Sequence, residues 1–328
     1  MHIPPATVGV VIIGRNEGNR LIACLDSLVS LIPQVVYVDS GSTDNSLIEA
    51  VNRGAHTVSL DITQPFTAAR ARNAGFDKLV KLFPSVEFVQ FVDGDCVVNP
   101  KWISTAYDFL IGNAKVAVVC GRRRELYPQK SIYNDLCDHE WNTPIGEAKA
   151  CGGDALMRVN AFKFVDGYKA SLIAGEEPEL CIRIRQAGYA VWRIDAEMTL
   201  HDAGMTKFSQ WWKRAVRAGY AFAEGAYLYG SAPEYHWVAE SKRSWVWGFV
   251  IPLIVLFMLV IHPLAGCILL LIYPLQILRL TFKSKQKNKE AFLESIFMII
   301  GKFAEAMGQI KFWCNLYFKQ KSSIIEYK

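Results

Sequence analysis

Three short apolar runs rich in β-branched residues occur within the first hundred residues, and each ends abruptly in polar residues. They are residues 8–13, 35–38 and 86–92. Runs of this length favour buried strands, and the intervening segments carry apolar residues at helical spacing. Strands that alternate with helices predict a parallel sheet with right-handed crossovers. The chain is therefore expected to begin with an α/β domain.

The third run ends in Asp93-Gly94-Asp95. In extended backbone, residues two positions apart point to the same side, so Asp93 and Asp95 can converge on one partner. Two carboxylates at the end of a buried strand suit Mg²⁺ or Mn²⁺ carrying a diphosphate. Gly94 has no side chain that would keep a phosphate away from the backbone. The segment therefore predicts a site for a metal ion and a diphosphate.

Polar residues also follow the first two runs. Asn16 and Glu17 come after the first, and Asp39 begins a turn rich in serine and glycine after the second. Thr43 or Asp44 is expected to cap the helix that follows. Ligands of parallel sheets bind beyond the carboxyl ends of the strands, so these loops should meet the Asp-Gly-Asp segment at one edge.

Four segments in this order carry a resemblance to a known family. They are Val-Ile-Ile-Gly-Arg-Asn-Glu (11–17), Val-Asp-Ser-Gly-Ser-Thr-Asp (38–44), Ala-Arg-Asn-Ala-Gly (71–75) and Asp-Gly-Asp (93–95). They resemble the motifs of family 2 glycosyltransferases, and the match extends over residues 8–225. The resemblance implies a GT-A fold, which is a Rossmann-like, mostly parallel mixed sheet flanked by helices. Many members carry Asp-Asp-Gly-Ser where this chain has Ser40, which leaves one base or ribose contact unassigned.

The resemblance also implies roles for the donor site. Asn16 and Glu17 would lie in the nucleotide-sugar site, Asp39 would contact the base, and Arg72 would lie near the diphosphate. Asp93 would reach the ribose or a water on the metal.

The resemblance implies Asp95 as the metal ligand, with His201 completing the metal shell. Asp202 would then orient the imidazole ring of His201. The expected cofactor is Mg²⁺ or Mn²⁺. Without the resemblance, a structural hydrogen-bonding role is favoured for His201 over a role as metal ligand.

Two later segments supply the acceptor side. Residues 151–158 resemble the Gly-Gly segment beside the transferred sugar, which places Gly153 and Asp154 at the donor. In residues 174–180, where relatives carry a Glu-Asp pair, Glu177 takes the position of the general base, with Glu176 as the alternative. Pro178 places Glu177 at a helix N-terminus. A role limited to capping that helix stays open for both acids.

Two further segments carry clusters of basic residues. Residues 210–214 lack the Gln-x-x-Arg-Trp motif of processive synthases, which favours a single transfer over polymerisation. Their Trp and Arg side chains could cover the acceptor, contact lipid headgroups or pack between helices. Arg122, Arg123 and Arg124 could bind phosphate, but the expectation is a solvated basic turn.

Composition changes near residue 244, where two apolar runs begin. Residues 245–261 and 264–278 lie at the short end of the about 17–25 residues that cross a bilayer. Basic residues flank the pair, namely Lys242, Arg243, Arg279, Lys283, Lys285, Lys287 and Lys289. This charge pattern favours a hairpin with both ends in the cytoplasm. A re-entrant hairpin and a buried helical pair remain alternatives.

An amphipathic helix is expected over residues 291–318. Its apolar side would contain Phe292, Ile296, Ile299, Phe303, Met307 and Ile310, with Glu294, Lys302 and Glu305 opposite. It could lie in the membrane surface or pack on the first domain. The predicted regions are therefore a catalytic domain (1–240), a membrane hairpin (241–282) and a basic linker with this helix (283–328).

These patterns together predict an inverting, metal-dependent glycosyltransferase on the cytoplasmic face of a membrane, with both termini in the cytoplasm. The donor would be a nucleotide-diphosphate sugar, most readily a UDP-sugar, and the acceptor a saccharide or lipid-linked hydroxyl in cell-envelope synthesis. Membrane lipid is an expected partner. The net charge of +5 is far from that of a nucleic-acid binder. The alternatives are transfer to polyprenyl phosphate and a membrane-tethered protein that binds nucleotide sugar without turnover.

Overall fold

A computed structural model describes residues 7–64, 66–284 and 288–319, except for the side chain of Asn288. The chain divides into two compact units, Met1–Thr206 and Lys207–Lys328. Lys285 and Lys287, which belong to the predicted basic flank, lie outside the described residues. The functional regions 1–240, 241–282 and 283–328 stay predictions.

In the described part of the first unit, nine strands form one mixed sheet. The strands are β1 (Val8–Gly14), β2 (Val35–Asp39), β3 (His56–Ser59), β4 (Phe88–Asp93), β5 (Cys96–Val98), β6 (Val116–Glu125), β7 (Gly146–Ala148), β8 (Ala155–Arg158) and β9 (Ala190–His201). Their order is β3-β2-β1-β4-β8-β6-β9-β5, and β7 pairs with β9. The half from β3 to β4 is parallel, as predicted, whereas β8 runs antiparallel to both β4 and β6.

Helices flank this sheet. They are α1 (Asn19–Asp26), α2 (Ser46–Asn52), α3 (Ala68–Leu82), α4 (Trp102–Gly112), α5 (Ile132–Glu140), α6 (Val159–Phe164) and α7 (Glu176–Gln186), with a 3₁₀ turn at Pro128–Lys130. The α3 helix packs closely on the sheet at Gly75, where a side chain would collide with Val11 and lie 2.8 Å from Val38 Cγ2. The mixed α/β fold class is confirmed.

The predicted cap of α2 is wrong by one or two residues. Asn45 occupies the N-cap position. The Asp44 carboxylate instead accepts hydrogen bonds from the backbone N–H groups of Ser46 (2.9 Å) and Gly18 (3.1 Å). Asp44 thereby connects the loop after β2 to the loop after β1, a long-range contact that local sequence does not reveal.

The described part of the second unit is helical. Its helices are α8 (Phe208–Tyr229), α9 (Val238–Trp245), α10 (Ile251–Ile261), α11 (Pro263–Leu270), α12 (Ile272–Lys283) and α13 (Asn288–Tyr317), and a π-helical turn at Val246–Val250 joins α9 to α10. Two continuous stretches, Val238–Ile261 and Pro263–Lys283, are long and apolar enough to cross a membrane. Their apolar windows are only 11% and 6% buried. The predicted pair of apolar helices is confirmed.

The predicted helix after the hairpin exists as α13, and its predicted apolar side is buried in the protein only in part, with Ile299 buried. Phe292 and Met307 are 42% and 53% exposed. The buried side consists largely of small residues, and a side chain at Gly308 would collide with the backbone of α8 at Val216. Glu305, predicted to be opposite, is a partner of Lys302 and Ser244. Small residues let helix backbones approach closely. The packing of α13 against α8 therefore relies largely on small residues rather than on the large apolar ones.

Trp211 of α8 belongs to the segment that could cover the acceptor, contact lipid headgroups or pack between helices. Trp211 is buried, and its ring lies edge-on to Phe297 of α13 with 5.0 Å between centroids. Of the three roles considered, the geometry of Trp211 matches packing between helices.

Candidate active site

Asp93 lies at the carboxyl end of β4 and is held by two arginines from different elements. Its Oδ1 accepts from Arg72 Nη2 at 2.8 Å, and its Oδ2 lies 3.3 Å from Arg123 Nη2. Burial opposes ionisation of Asp93, but the two guanidinium groups outweigh it and hold the pKa of Asp93 below its ordinary value. Asp93 is therefore a fixed anion at the centre of the site.

Arg72 extends from α3 and connects Asp93 to the two acids of α7. Its side chain is only 2% exposed, and Nη1 lies 3.0 Å from Glu176 Oε1 and 3.1 Å from Glu177 Oε1. The helix α7 begins at Glu176, so both acids lie at its N-terminus, as predicted for Glu177. One buried cation thus joins the predicted donor and acceptor residues.

Glu177 has the perturbed ionisation expected of a general base. Burial and the nearby charge of Glu176 raise the pKa of Glu177 to about 7, although Arg72 opposes the shift. A carboxylate with a pKa near neutrality can accept a proton and release it again at physiological pH.

Gly153 lies directly against the Arg72–Asp93 ion pair. A side chain at this position would collide with Arg72 Nη2 and lie 2.8 Å from Asp93 Oδ2. The neighbouring Gly152 has nothing within 4 Å of such a side chain. The predicted Gly-Gly segment therefore contains one glycine that the site geometry requires and one that it does not.

Asp154 is fully buried and fixes the backbone of Asp93. Its Oδ1 accepts from Asp93 N at 3.1 Å, and its Oδ2 accepts from Thr199 Oγ1 at 2.7 Å. Arg123 Nη1 lies 3.7 Å from the same Oδ2. Asp154 thus lies among the charged groups of the site, where it supports Asp93 through a hydrogen bond to the Asp93 backbone.

Arg123 is a site residue that the sequence analysis missed. Arg122, Arg123 and Arg124 lie in β6, so the expected solvated turn is wrong. Alternation along the strand sends Arg123 into the site, while Arg124 pairs with Glu197 at 2.7 Å on the surface. Arg122 donates to Asp138 Oδ2 at 2.8 Å. A strand pattern of apolar residues just before the arginines was the available signal.

Asp95 and His201 come together across the β5–β9 pair. Cys96 is the register partner of His201, and His201 Nε2 lies 3.3 Å from Asp95 Oδ2. Both side chains are buried. The two residues predicted as metal ligands therefore face each other.

The carboxylate that faces the far side of the His201 ring is Glu125, so the prediction for Asp202 is wrong. Glu125 Oε2 lies 3.8 Å from His201 Nδ1, and Trp141 packs edge-on to the ring with 4.8 Å between centroids. Asp202 Oδ1 instead accepts from Gly204 N at 3.1 Å. The turn after β9 directs the Asp202 side chain into a local cap rather than toward the imidazole.

The residues around Asp95 fit a divalent metal ion. Donor atoms of Asp95, Cys96 and His201 all lie within 4.8 Å of one another. A carboxylate and an imidazole are donors that Mn²⁺ accepts readily, and Mg²⁺ prefers oxygen alone. The donor set therefore suits an ion that tolerates nitrogen as well as oxygen.

The loops after β1 and β2 form the other side of the site. Asp39 Oδ2 accepts from the backbone N–H groups of Gly41 (3.1 Å) and Ser42 (3.0 Å). Asn16 Oδ1 accepts from Thr43 N at 2.7 Å, which ties the two loops together. Glu17 pairs with Arg20 at 2.7 Å in the first turn after β1. These predicted nucleotide-site residues are held by hydrogen bonds and an ion pair at the carboxyl ends of parallel strands.

Gly94 packs closely against the end of β1. Its N–H donates to Ile13 O at 2.8 Å, and a side chain there would lie 3.1 Å from the same oxygen. This contact holds the Asp-Gly-Asp segment against the end of β1. A small residue at position 94 is therefore favoured by packing as well as by the expected approach of a phosphate.

Comparison with known proteins bears on this site. Residues 9–162 match the model of the family described as Glycosyl transferase family 2. Over 202 residues, the chain is 27% identical to the succinoglycan biosynthesis protein ExoA of Rhizobium meliloti (strain 1021). That match covers 57% of this chain and 60% of the relative's length.

Two solved structures show a similar fold. A mannosyltransferase from Pyrobaculum calidifontis in complex with GDP-Man and Mn²⁺ has a TM-score of 0.64 at 16% identity, covering 93% of this chain and 87% of that one. Glucosyl-3-phosphoglycerate synthase from Mycobacterium tuberculosis, in complex with Mn²⁺, UDP and glucosyl-3-phosphoglycerate, has a TM-score of 0.50 at 17% identity. It covers 69% of this chain and 82% of its own. At these identities the likeness concerns the fold.

Proposed function

Residues 9–162 match the model of the family described as Glycosyl transferase family 2, and on that premise we propose that the chain is a metal-dependent, inverting glycosyltransferase. The donor is a nucleotide-diphosphate sugar, with a UDP-sugar as the first choice. The observation that carries the proposal is the connected network at one edge of the sheet, in which Arg72 contacts Asp93, Glu176 and Glu177. Asp95 and His201 lie beside it.

The proposed reaction begins with the acceptor hydroxyl. Its proton passes to the Glu177 carboxylate while its oxygen forms a bond to the anomeric carbon. The bond from that carbon to the diphosphate breaks, and its electron pair leaves with the diphosphate. Attack from the face opposite the leaving group inverts the anomeric configuration. A base with a pKa of about 7 is suited to this single proton transfer.

The charged residues stabilise the leaving group. Arg72 lies within reach of both the acids of α7 and Asp93, so its guanidinium can also meet a diphosphate at this edge. Asp95 and His201 would hold Mg²⁺ or Mn²⁺, which, when bound, neutralises charge that develops on the diphosphate. Asn16 and Asp39 fix the loops that would receive the nucleotide.

The apolar helices support a location at a membrane, and the basic residues that flank them favour its cytoplasmic face. Most of the surface of Val238–Ile261 and Pro263–Lys283 is uncovered by protein, which is costly in water and favourable in lipid. We propose a saccharide or lipid-linked acceptor in envelope glycan synthesis, consistent with the succinoglycan role in the relative's name.

The same apolar helices favour transfer to polyprenyl phosphate as a second candidate. A phosphate acceptor is already an anion and needs no general base. Near-normal transfer by Glu177→Gln would therefore support this candidate over a hydroxyl acceptor. A protein that binds nucleotide sugar without turnover would release no nucleotide with any acceptor extract.

The decisive experiment is a thermal-shift panel of UDP-, GDP- and dTDP-sugars with and without Mn²⁺. A ligand at 100 times its Kd adds about 2.7 kcal/mol of stability. We expect one donor to raise Tm only when Mn²⁺ is present, and Asp95→Ala to remove that shift. A panel without any metal-dependent shift would contradict the proposal.

A further inference from the structure

Among the described residues of the first unit, two groups of side chains have the geometry of a divalent cation site, and they share one residue. The first is Asp95, Cys96 and His201, and the second is Asp93, Cys96 and Asp154. Within each group, the donor atoms lie within 4.8 Å of one another. The two groups differ in their contacts with Arg123, whose side chain contacts all three members of the second group.

The guanidinium group of Arg123 faces every member of the second group. Nη2 lies 3.3 Å from Asp93 Oδ2 and 3.5 Å from Cys96 Sγ. Nη1 lies 3.7 Å from Asp154 Oδ2. The ring of Trp141 packs against the guanidinium, whose carbon lies 5.0 Å from the ring centroid. A guanidinium remains protonated in proteins, so the position is filled by a permanent cation.

We propose that Arg123 is a positioning residue that takes the place of a second divalent cation. With Arg123 present, both oxygens of Asp93 are engaged by arginines, Oδ1 by Arg72 and Oδ2 by Arg123. Asp93 is thereby kept from binding metal, and the single metal position is that of Asp95 and His201. The inference explains why two carboxylates only two residues apart take different partners.

Removal of Arg123 would leave the Asp93 and Asp154 carboxylates and a thiol facing each other with less cationic charge. Buried carboxylates without compensation are strongly unfavourable, and a cation relieves that cost. Carboxylate oxygens and sulfur together are acceptable donors for a transition-metal ion. The Arg123→Ala protein should therefore bind one more Mn²⁺ than the wild type.

The test is a Mn²⁺ titration of the full-length, detergent-solubilised protein, with free Mn²⁺ followed by its electron paramagnetic resonance signal. We expect one bound ion per chain for the wild type and two for Arg123→Ala. Arg124→Ala is the matched control, because the neighbouring arginine pairs with Glu197 on the surface. It should bind one ion, as should Arg123→Lys, which restores the charge. Arg123→Ala combined with Asp154→Asn should also return to one.

The consequence for the reaction rests on the proposed function, whereas the ion count does not. Arg123→Ala should raise the KM for the donor, and Arg123→Lys should lower it again. A wild type that binds no Mn²⁺ would count against the proposed metal-dependent function. One ion in both the wild type and Arg123→Ala would overturn the role of Arg123. If Arg123→Ala does not fold, Arg123→Gln asks the same question, since it keeps an amide donor and loses the charge.

Discussion

The two sides of the candidate site are held together in different ways. The loops after β1 and β2 are fixed by hydrogen bonds to nearby backbone groups, as at Asn16 and Asp39. The side around Asp93 is fixed by partly buried ion pairs with Arg72 and Arg123, in which the Asp93 side chain is 26% exposed. A typical hydrogen bond contributes about 0.5–1.5 kcal/mol. Breaking a fully buried ion pair costs about 3–5 kcal/mol, so each of these pairs should contribute less than that.

The difference indicates a division of labour. Groups that stabilise a developing charge must be in position before the reaction, because moving them during it would raise the barrier. The ion-paired side meets that requirement. The loop side can adjust around a nucleotide at small cost. Substitutions on the two sides should therefore differ in both size and kind of effect.

The largest effect is expected for Glu177→Gln on the ion-paired side. Loss of a general base lowers kcat by about 10²- to 10⁴-fold, whereas donor binding should persist. Steady-state kinetics and donor-induced shifts in Tm measure the two effects separately. Glu176→Gln is the matched control at the adjacent position, and a larger loss there would transfer the role of base to Glu176.

The raised pKa of Glu177 also predicts two pH dependences. Activity of the wild type should rise with pH through about 7, as the base becomes deprotonated. An acid with a raised pKa in the folded state contributes stability below its unfolded pKa and loses it as pH rises through the folded value. As the pH rises from the ordinary glutamate pKa of 4.5 to the raised pKa of about 7, the wild type should lose up to about 3 kcal/mol of stability relative to Glu177→Gln. Urea unfolding of both proteins at pH 5 and pH 8 measures this, and a constant difference would contradict it.

Asp154→Ala should cause the largest loss of stability on this side, about 3–5 kcal/mol. It removes the acceptor for Asp93 N and Thr199 Oγ1 and leaves Arg123 with one carboxylate fewer. Urea unfolding gives the value. Glu197→Ala breaks the exposed pair with Arg124 and should cost only about 0–1 kcal/mol. Equal costs would mean that burial does not distinguish the two pairs.

Gly153→Ala should have a moderate effect, because its new methyl group would enter the space of the Arg72–Asp93 pair. Overpacking of this kind costs about 1–3 kcal/mol, and displacement of the ion pair should lower kcat. Gly152→Ala is the control, since nothing lies within 4 Å of its side-chain position. Parallel kinetics on the two variants should separate them, and equal rates would remove the geometric requirement at Gly153.

The comparison also explains which features the sequence could predict. Four of the predicted site residues lie at the end of an apolar strand or just after it, namely Asn16, Asp39, Asp93 and Asp95. The strand pattern therefore predicts that they share one edge of the sheet. The contact between Arg123 and Asp93 depends on the position of β6 next to β8 and of β8 next to β4, a strand order that is not local in sequence. The apolar residues before the three arginines indicate a strand, but they do not show which arginine reaches the site.

Similar reasons account for two further differences between prediction and structure. The orientation of His201 depends on Glu125, which lies 76 positions earlier in the sequence and faces the ring only after β6 pairs with β9. The buried side of α13 is chosen by close backbone approach at Gly308 and Gly219. The spacing of apolar residues predicts a helix there. It does not predict that the helix packs through its glycines, which allow the two backbones to approach closely.

The smallest effect is expected on the loop side, for Asn16→Gly. Asn16 has a φ of 55°, which glycine adopts without strain, so the change removes the bond to Thr43 N with little backbone cost. The loss should be about 1 kcal/mol, seen as a KM for the donor raised by less than about tenfold at nearly constant kcat. Asn16→Ala loses the same bond and adds strain, so its excess effect isolates the backbone term. A fall in kcat for Asn16→Gly as large as that for Glu177→Gln would show that the loop side is as rigidly required as the ion-paired side.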